Sequence, residues 1–165
     1  PISGNFVPAG FAKRQWEDYC NQREILGKRP DPENWRAGRS ILVAESNLQA
    51  NEYLAKKEGG FRHYFHYLRT LESKRNMINA TVEERKAFVT SKVNEALEDQ
   101  VIAGDADTVL QKLVAFREEV GPFGTLLMTG HDWDEKELWQ GSMRMLAQDV
   151  MPRLSQHANA TDPNY

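Results

Sequence analysis

Apolar positions change their spacing several times along this chain, and each change marks an element. From Ala12 to about Leu26 they recur at helical intervals, with Trp16, Tyr19 and Cys20 three and four residues apart. Gly27, Pro30 and Pro32 end that pattern. Within the stretch Trp35 to Ala44, Arg39-Ser40-Ile41-Leu42-Val43-Ala44 is a short β-branched apolar run, the signature of a buried strand. Ser46 with Gln49 is a capping box for a helix from Asn47 to about Lys57, so strand passes directly to capped helix, the βα step of an α/β fold. After Gly59-Gly60 an aromatic helix carries Phe61, Tyr64, Phe65 and Leu68 on one face and His63, His66 and Tyr67 on another. Ser73 to Ala80 reads as a polar loop, and Thr81 with Glu84 caps a further helix to about Leu97.

The last third follows the same logic. Val101-Ile102-Ala103-Gly104-Asp105 turns into a helix from Ala106 to about Val120, which Gly121-Pro122 ends. Gly124-Thr125-Leu126-Leu127-Met128 predicts a second strand, with Gly130-His131-Asp132-Trp133 as the loop at its carboxyl end. A final helix is expected from Asp134 to Met151, packing through Trp139, Met143, Leu146 and Val150; Pro152 should close it and leave a frayed polar tail after Leu154. Two strands among about six helices make only a marginal sheet, so the chain is expected to be either mostly helical or part of something larger. The second is the favoured expectation.

Composition narrows the function classes. The 165 residues are 40% apolar and 27% charged, with a net charge of −3, enough for one domain with a core. Lys and Arg alternate with Asp and Glu, so no basic footprint for nucleic acid stands out. No apolar run is long enough to cross a bilayer. The lone Cys20 excludes an internal disulfide framework and fits a reducing, cytoplasmic setting. The opening Pro1-Ile2-Ser3-Gly4-Asn5 has neither a signal peptide's charged region nor its apolar one, and reads as a loop entered from upstream.

Val101 to Leu154 resembles the end of the bacterial-luciferase-like flavin monooxygenases. In that family a Gly-Thr-Pro-Glu-like turn opens the penultimate helix, a Gly-rich turn leads to the last strand, and a Val-Met-Pro-Arg-like stop follows. Gly104 matches the first turn, although Asp105-Ala106-Asp107 replaces Thr-Pro-Glu; Gly124 to Met128 matches the strand, and Val150-Met151-Pro152-Arg153 the stop. Trp16-Glu17-Asp18-Tyr19, Gly27-Lys28-Arg29, Asn34-Trp35-Arg36 and Leu42-Val43-Ala44-Glu45 resemble the alkane, limonene and diketocamphane monooxygenase branch.

The resemblance implies a (β/α)8 TIM barrel roughly twice as long, with this chain as its C-terminal part and the two strands as the seventh and eighth. Residues 1–58 would form a helix–strand–helix unit, 59–100 a variable helical insertion, 101–154 the closing helix–strand–helix, and 155–165 a tail. It implies a two-component enzyme in which a separate flavin reductase supplies reduced FMN. With O2, that flavin inserts one oxygen into an apolar substrate, while the protein binds, orients and excludes water. A homo-oligomer of the parent protein is implied as well.

Barrel chemistry sits at the carboxyl ends of strands, here Ala44-Glu45-Ser46 and Thr129-Gly130-His131-Asp132-Trp133. His131 is the catalytic candidate, because a histidine can donate or accept near neutral pH and this one lies where barrel chemistry happens. Trp133 could wall a flavin or apolar substrate, and Gly130 could admit one, though Gly130 reads more readily as serving backbone geometry. Phe61, Tyr64 and Phe65 could line a substrate lid, against the plainer reading of helical aromatics as core. Asp132 with Glu135 equally reads as a capping box, which would make His131 a loop residue. His63 and His66 lie three apart without Cys or clustered carboxylates, so no metal is expected, and Cys20 is expected to be inert. The family grips the flavin phosphate mainly before strand seven, so weak or no flavin binding is expected of this chain alone. Two other readings stay open: a deazaflavin-dependent oxidoreductase of the same superfamily, and a non-catalytic helical interaction module. The module predicts that Ile41–Ala44 and Gly124–Met128 are not parallel neighbours.

Overall fold

Ser40 to Val43 is apolar almost without interruption because the strand containing it is covered on both faces. In the computed structural model, which describes residues 1–131 and 135–161, the elements run in order β1 (Ile2–Ser3), α1 (Ala9–Ile25), β2 (Arg36–Val43), α2 (Asn47–Ala55), α3 (Gly60–Asn76), α4 (Val82–Asp99), β3 (Val101–Gly104), α5 (Ala106–Val120), β4 (Thr125–Thr129) and α6 (Lys136–Met145). A π-turn (Leu146–Val150) then leads into α7 (Met151–Thr161).

Every strand pairing is parallel, and β2 is common to all of them. Ala37 pairs with both Ser3 and Leu126, and Ser40 with both Val101 and Thr129. A strand residue has one neighbour on each edge, so β4 occupies one edge of β2 while β1 and β3 share the other, end to end. The predicted strands Ile41–Ala44 and Gly124–Met128 therefore belong to parallel neighbours, against the helical-module reading. Parallel neighbours need long crossovers, and helices α1, α2 to α4, and α5 supply them. The sheet is open and the barrel is not closed, since β1 and β4 each pair with β2 alone.

Two of the four strands escaped the sequence pattern. β1 is only two residues long, and Val101–Gly104 was assigned to a turn because its Gly-Asp end resembles a helix entry. Ser73–Asn76, expected in a loop, extends α3 by a turn. The final helix is not stopped by Pro152. That residue falls in the first turn after the π segment, where the hydrogen-bond ladder is already offset and one missing N–H costs little. Buried Val150 and Leu154 hold this segment against α5, so the tail stays helical to Thr161.

Alternation along β2 splits the core in two. Ala37, Ile41 and Val43 pack with Val109, Leu113 and Phe116 of α5 and with Trp35. Leu42 and Ala44 pack on the opposite face with Tyr53 of α2, Phe61 and Phe65 of α3, and Trp139 of α6. The second face is the one a closed barrel would turn inward, away from its crossover helix α5. Here α3 lies over it. The Thr81 capping box is complete: Thr81 accepts from Glu84 N and Glu84 Oε2 accepts from Thr81 N at 2.7 Å, which holds the Glu84 carboxyl below its usual range. The expected box at Ser46 forms only in half: Ser46 accepts from Gln49 N, but Gln49 Oε1 accepts from Glu45 N instead of from the cap itself.

Gly124 enters β4 under tight backbone contact. Its N–H donates to Pro32 O at 2.8 Å, and a Cβ there would lie 2.6 Å from Glu33 Cα. Backbone cannot swing aside as a side chain can, so Gly124→Ala is expected to cost about 1–3 kcal/mol in urea unfolding. An unchanged midpoint would mean that the Pro32–Asn34 turn yields freely.

Candidate functional site

β4 ends at Thr129, and Gly130 and His131 carry the chain back across the inward face of β2. Ser40 belongs to that face by alternation with Leu42, so its hydroxyl projects toward His131 rather than toward α5. Ser40 Oγ lies 2.8 Å from His131 Nε2 and accepts a hydrogen bond from Asn5 Nδ2 at 3.1 Å. The Tyr64 hydroxyl donates to Asn5 Oδ1 at 3.5 Å. Four side chains from four separate parts of the sequence thus form one hydrogen-bonded chain.

Aromatic rings enclose the imidazole. Tyr64 stacks on it at 4.1 Å with 29° between planes, and Phe61 meets it edge-on at 5.1 Å. Phe65 approaches at 6.4 Å. These rings belong to α3, whose hydrophobic face covers the sheet. Asn5 is fixed in turn by Arg39, a buried guanidinium that donates to the carbonyls of Gly4, Val7 and Gly38 at 3.2 to 3.4 Å and lies 3.9 Å over the Phe116 ring. Burial lowers the Arg39 pKa to about 10 against the opposing pull of Glu119, so it stays charged at neutral pH.

Loss of hydration inside this enclosure pushes the His131 pKa down to about 4. The ring is therefore neutral at physiological pH, which corrects the expectation of a group that exchanges its proton near neutrality: burial removes the hydration that the charged form needs. An unfolded histidine titrates near 6.5, so below that pH the unfolded state takes up the proton first. Stability contributed by neutral His131 is complete above about pH 6.5 and is lost as pH falls through about 4. Allowing for solvent screening of this partly exposed ring, the loss should be about 1–2 kcal/mol. Urea titrations from pH 7 to 4 should show it, and His131→Asn should remove that part of the slope.

His131 opens on a cleft of about 400 Å³ whose walls are His63, Tyr64 and Tyr67 from α3 and Thr129, Gly130 and His131 from β4 and its exit. Among the described residues the lining carries no Lys or Arg. No full positive charge among those residues therefore faces the cleft. A second cleft at the carboxyl end of β2, about 500 Å³, is lined by Glu45, Glu135 and Glu137 with Lys136 and also by Leu138 and Met145, and its charge is predominantly acidic.

The structure distributes the sequence candidates unevenly. His131, Gly130 and Tyr64 meet at the cleft. Phe61 and Phe65 are 1% and 0% exposed and support the imidazole from the core side. Trp133 and Asp132 lie outside the described residues. A Cβ on Gly130 would meet nothing within 4 Å and its φ is not left-handed, so neither space nor backbone strain requires glycine there. His63 and His66 line different clefts, the second a groove between α3 and α4, and do not converge. Cys20 is half-buried, and burial followed by nearby Glu24 raises its pKa, which keeps the thiol protonated. Asn5 and Ser40 were not read as site residues, and Thr129 was read only as the start of the strand end that carries His131. A lone Ser entering an apolar strand was the available signal for Ser40; nothing local marked Asn5.

No protein-family model matches the chain. Curated relatives do: it is 26% identical over 158 residues to 3,6-diketocamphane 1,6-monooxygenase of Pseudomonas putida, covering 91% of this chain and 42% of that protein. It is also 26% identical over 152 residues to 4-hydroxyprotoasukamycin monooxygenase of Streptomyces nodosus subsp. asukaensis, covering 92% and 38%. Among solved structures it superposes on the oxygenating constituent of 3,6-diketocamphane monooxygenase in complex with FMN, with a TM-score of 0.73, 24% identity, and coverage of 92% of this chain and 42% of that one. A monooxygenase from Streptomyces bottropensis gives a TM-score of 0.60 at 17% identity, covering 92% and 41%. The chain spans about two-fifths of the length of the curated relatives it matches. Sequence and fold together make it homologous, over that part of their length, to diketocamphane monooxygenase and other luciferase-like flavin monooxygenases.

Proposed function

We propose that this chain forms part of an FMN-dependent, two-component monooxygenase that inserts one atom of O2 into an apolar organic substrate. A separate reductase supplies the reduced flavin. The observation that carries this reading is the match to diketocamphane monooxygenase over nine-tenths of the chain, in both sequence and fold. The cleft supports it: a neutral imidazole, aromatic walls and a parallel-strand carboxyl end suit a neutral ring held away from water.

Reduced flavin supplies the oxygen-transfer chemistry when bound. The residues of this chain bind and orient: Tyr64 and Tyr67 wall the cleft, and His131 offers one hydrogen-bonding nitrogen while Ser40 engages the other. The aromatic belt of Phe61, Tyr64 and Phe65 limits the access of water to the imidazole. Flavin phosphate meets no Lys or Arg among the described residues of this cleft, so the chain alone should hold FMN no better than riboflavin. Ring contacts worth about 0.3 kcal/mol per atom support an affinity of only about 0.1 mM.

Flavin-fluorescence titration of the 165-residue chain with FMN and riboflavin tests the site. Sub-micromolar binding selective for FMN would overturn the placement of the phosphate grip. The activity is tested by expressing the natural open reading frame and supplying reduced FMN, 18O2 and a panel of alicyclic ketones and alkanes. Product carrying one 18O only in the presence of reduced FMN is expected; no incorporation across the panel would sink the assignment.

A further inference from the structure

We propose that Asn5 and Ser40 are positioning residues that hold His131 as its Nδ1–H tautomer, making it a hydrogen-bond donor to a neutral acceptor oxygen in the cleft. The polarity of the side-chain chain carries this. The Tyr64 phenol donates to Asn5 Oδ1, the Asn5 amide nitrogen donates to Ser40 Oγ, and Ser40 has one remaining hydrogen and, among the described residues, one further hydrogen-bond partner, His131 Nε2 at 2.8 Å. Ser40 is fully buried, so a hydroxyl hydrogen left without an acceptor would be costly. Donating to Nε2 avoids that cost and leaves the ring proton on Nδ1. Chemistry favours the same direction: a phenol is a better donor than acceptor, an amide carbonyl is a strong acceptor, and a bare imidazole nitrogen readily takes an alcohol hydrogen.

Asn5 is well placed for the role. It is 8% exposed, and Arg39 clamps the carbonyls of Gly4 and Val7 on either side of it. The depressed basicity of His131 keeps the ring neutral, so the tautomer and not the charge decides what the cleft offers. Tyr64 and Tyr67 supply flat apolar walls, and no Lys or Arg among the described lining residues favours an anion. The ligand class that follows is a ring bearing a carbonyl or hydroxyl oxygen. That ligand class rests on the oxygenase reading, whereas the tautomer does not.

Histidine side-chain 15N NMR on the chain tests the tautomer directly, without flavin or turnover. Wild type should show Nδ1 protonated and Nε2 bare. Asn5→Asp is nearly isosteric but replaces the amide donor by an acceptor; it should draw the Ser40 hydrogen to itself and switch His131 to Nε2–H. Ser40→Ala, which removes a single oxygen, should release the Nδ1–H preference and serves if Asn5→Asp does not fold. An Nε2–H wild type, or a tautomer unmoved by both variants, would overturn the proposal. Titration with acetophenone, ethylbenzene and benzoate then tests the ligand class. Acetophenone should perturb the Nδ1 resonance and bind about 5- to 10-fold more tightly than ethylbenzene, the worth of one net hydrogen bond. Equal binding by the two, or tighter binding of benzoate, would overturn the donor role. Failure of 18O incorporation with the tautomer result intact would remove the oxygenase assignment alone.

Discussion

Trp35→Ala is expected to lower the unfolding free energy by about 3–5 kcal/mol, the range for truncating a fully packed aromatic. Trp35 is 1% exposed and stacks on Trp16 of α1 at 4.8 Å with 7° between planes. Phe123, at the entry to β4, meets it edge-on at 6.4 Å. One ring therefore joins the first crossover helix, the start of β2 and the approach to β4. Trp16 in turn fills the space over Gly121, whose φ of +99° and 2.8 Å approach leave no room for a side chain. Backbone bonds from Trp35 N to Pro32 O and from Thr125 N to Trp35 O survive the truncation, so the loss reports packing alone. Guanidinium titrations should show a lower midpoint with an unchanged slope, and Trp35→Phe should recover part of the difference. A loss under about 1 kcal/mol would mean that α1 docks independently of this stack.

Phe61→Ala should cost a similar 3–5 kcal/mol and should also alter the site. Phe61 is 1% exposed and makes edge contacts with Tyr53 of α2, Trp139 of α6 and His131, at 6.0, 5.2 and 5.1 Å. It is the shared ring through which α2, α3 and α6 meet over the inward face of β2. Its removal opens a space beneath the imidazole that water can reach, relieving the desolvation that depresses the His131 pKa. The pKa followed by NMR should rise from about 4 toward the ordinary histidine value. A destabilised variant with an unmoved His131 pKa would show that Tyr64 and Phe65 alone keep the ring dry.

These two residues mark how far local pattern reaches. Trp35 and Phe61 announce burial through their neighbours: one precedes a β-branched run, the other opens an aromatic stripe at helical spacing. Burial follows, but the purpose of burial does not. The reading of Phe61, Tyr64 and Phe65 as one face was sound, since all three reach the same imidazole, yet only Tyr64 also lines the cleft.

Local chemistry decided the elements whose signals are strong and short-ranged. The strand core from Arg39 to Val43, the Ser46 and Thr81 caps, the helix from Ala106 to Val120 and the strand near Thr125 to Met128 all follow from spacing and capping, because these depend on residues within one or two turns. Tertiary structure decided the rest. Val101–Gly104 is a strand only because β2 offers it an edge, and the chain passes Pro152 as helix only because a π-turn and the α5 surface hold it there. The site depends most on tertiary structure. Asn5, Ser40, Tyr64 and His131 are separated by up to 91 residues in a pairwise contact, and each is unremarkable where it stands in the sequence. Parallel pairing of β2 with β4 and the laying of α3 across them bring the four within hydrogen-bonding reach, and only then does a loop histidine become a desolvated, hydrogen-bonded imidazole.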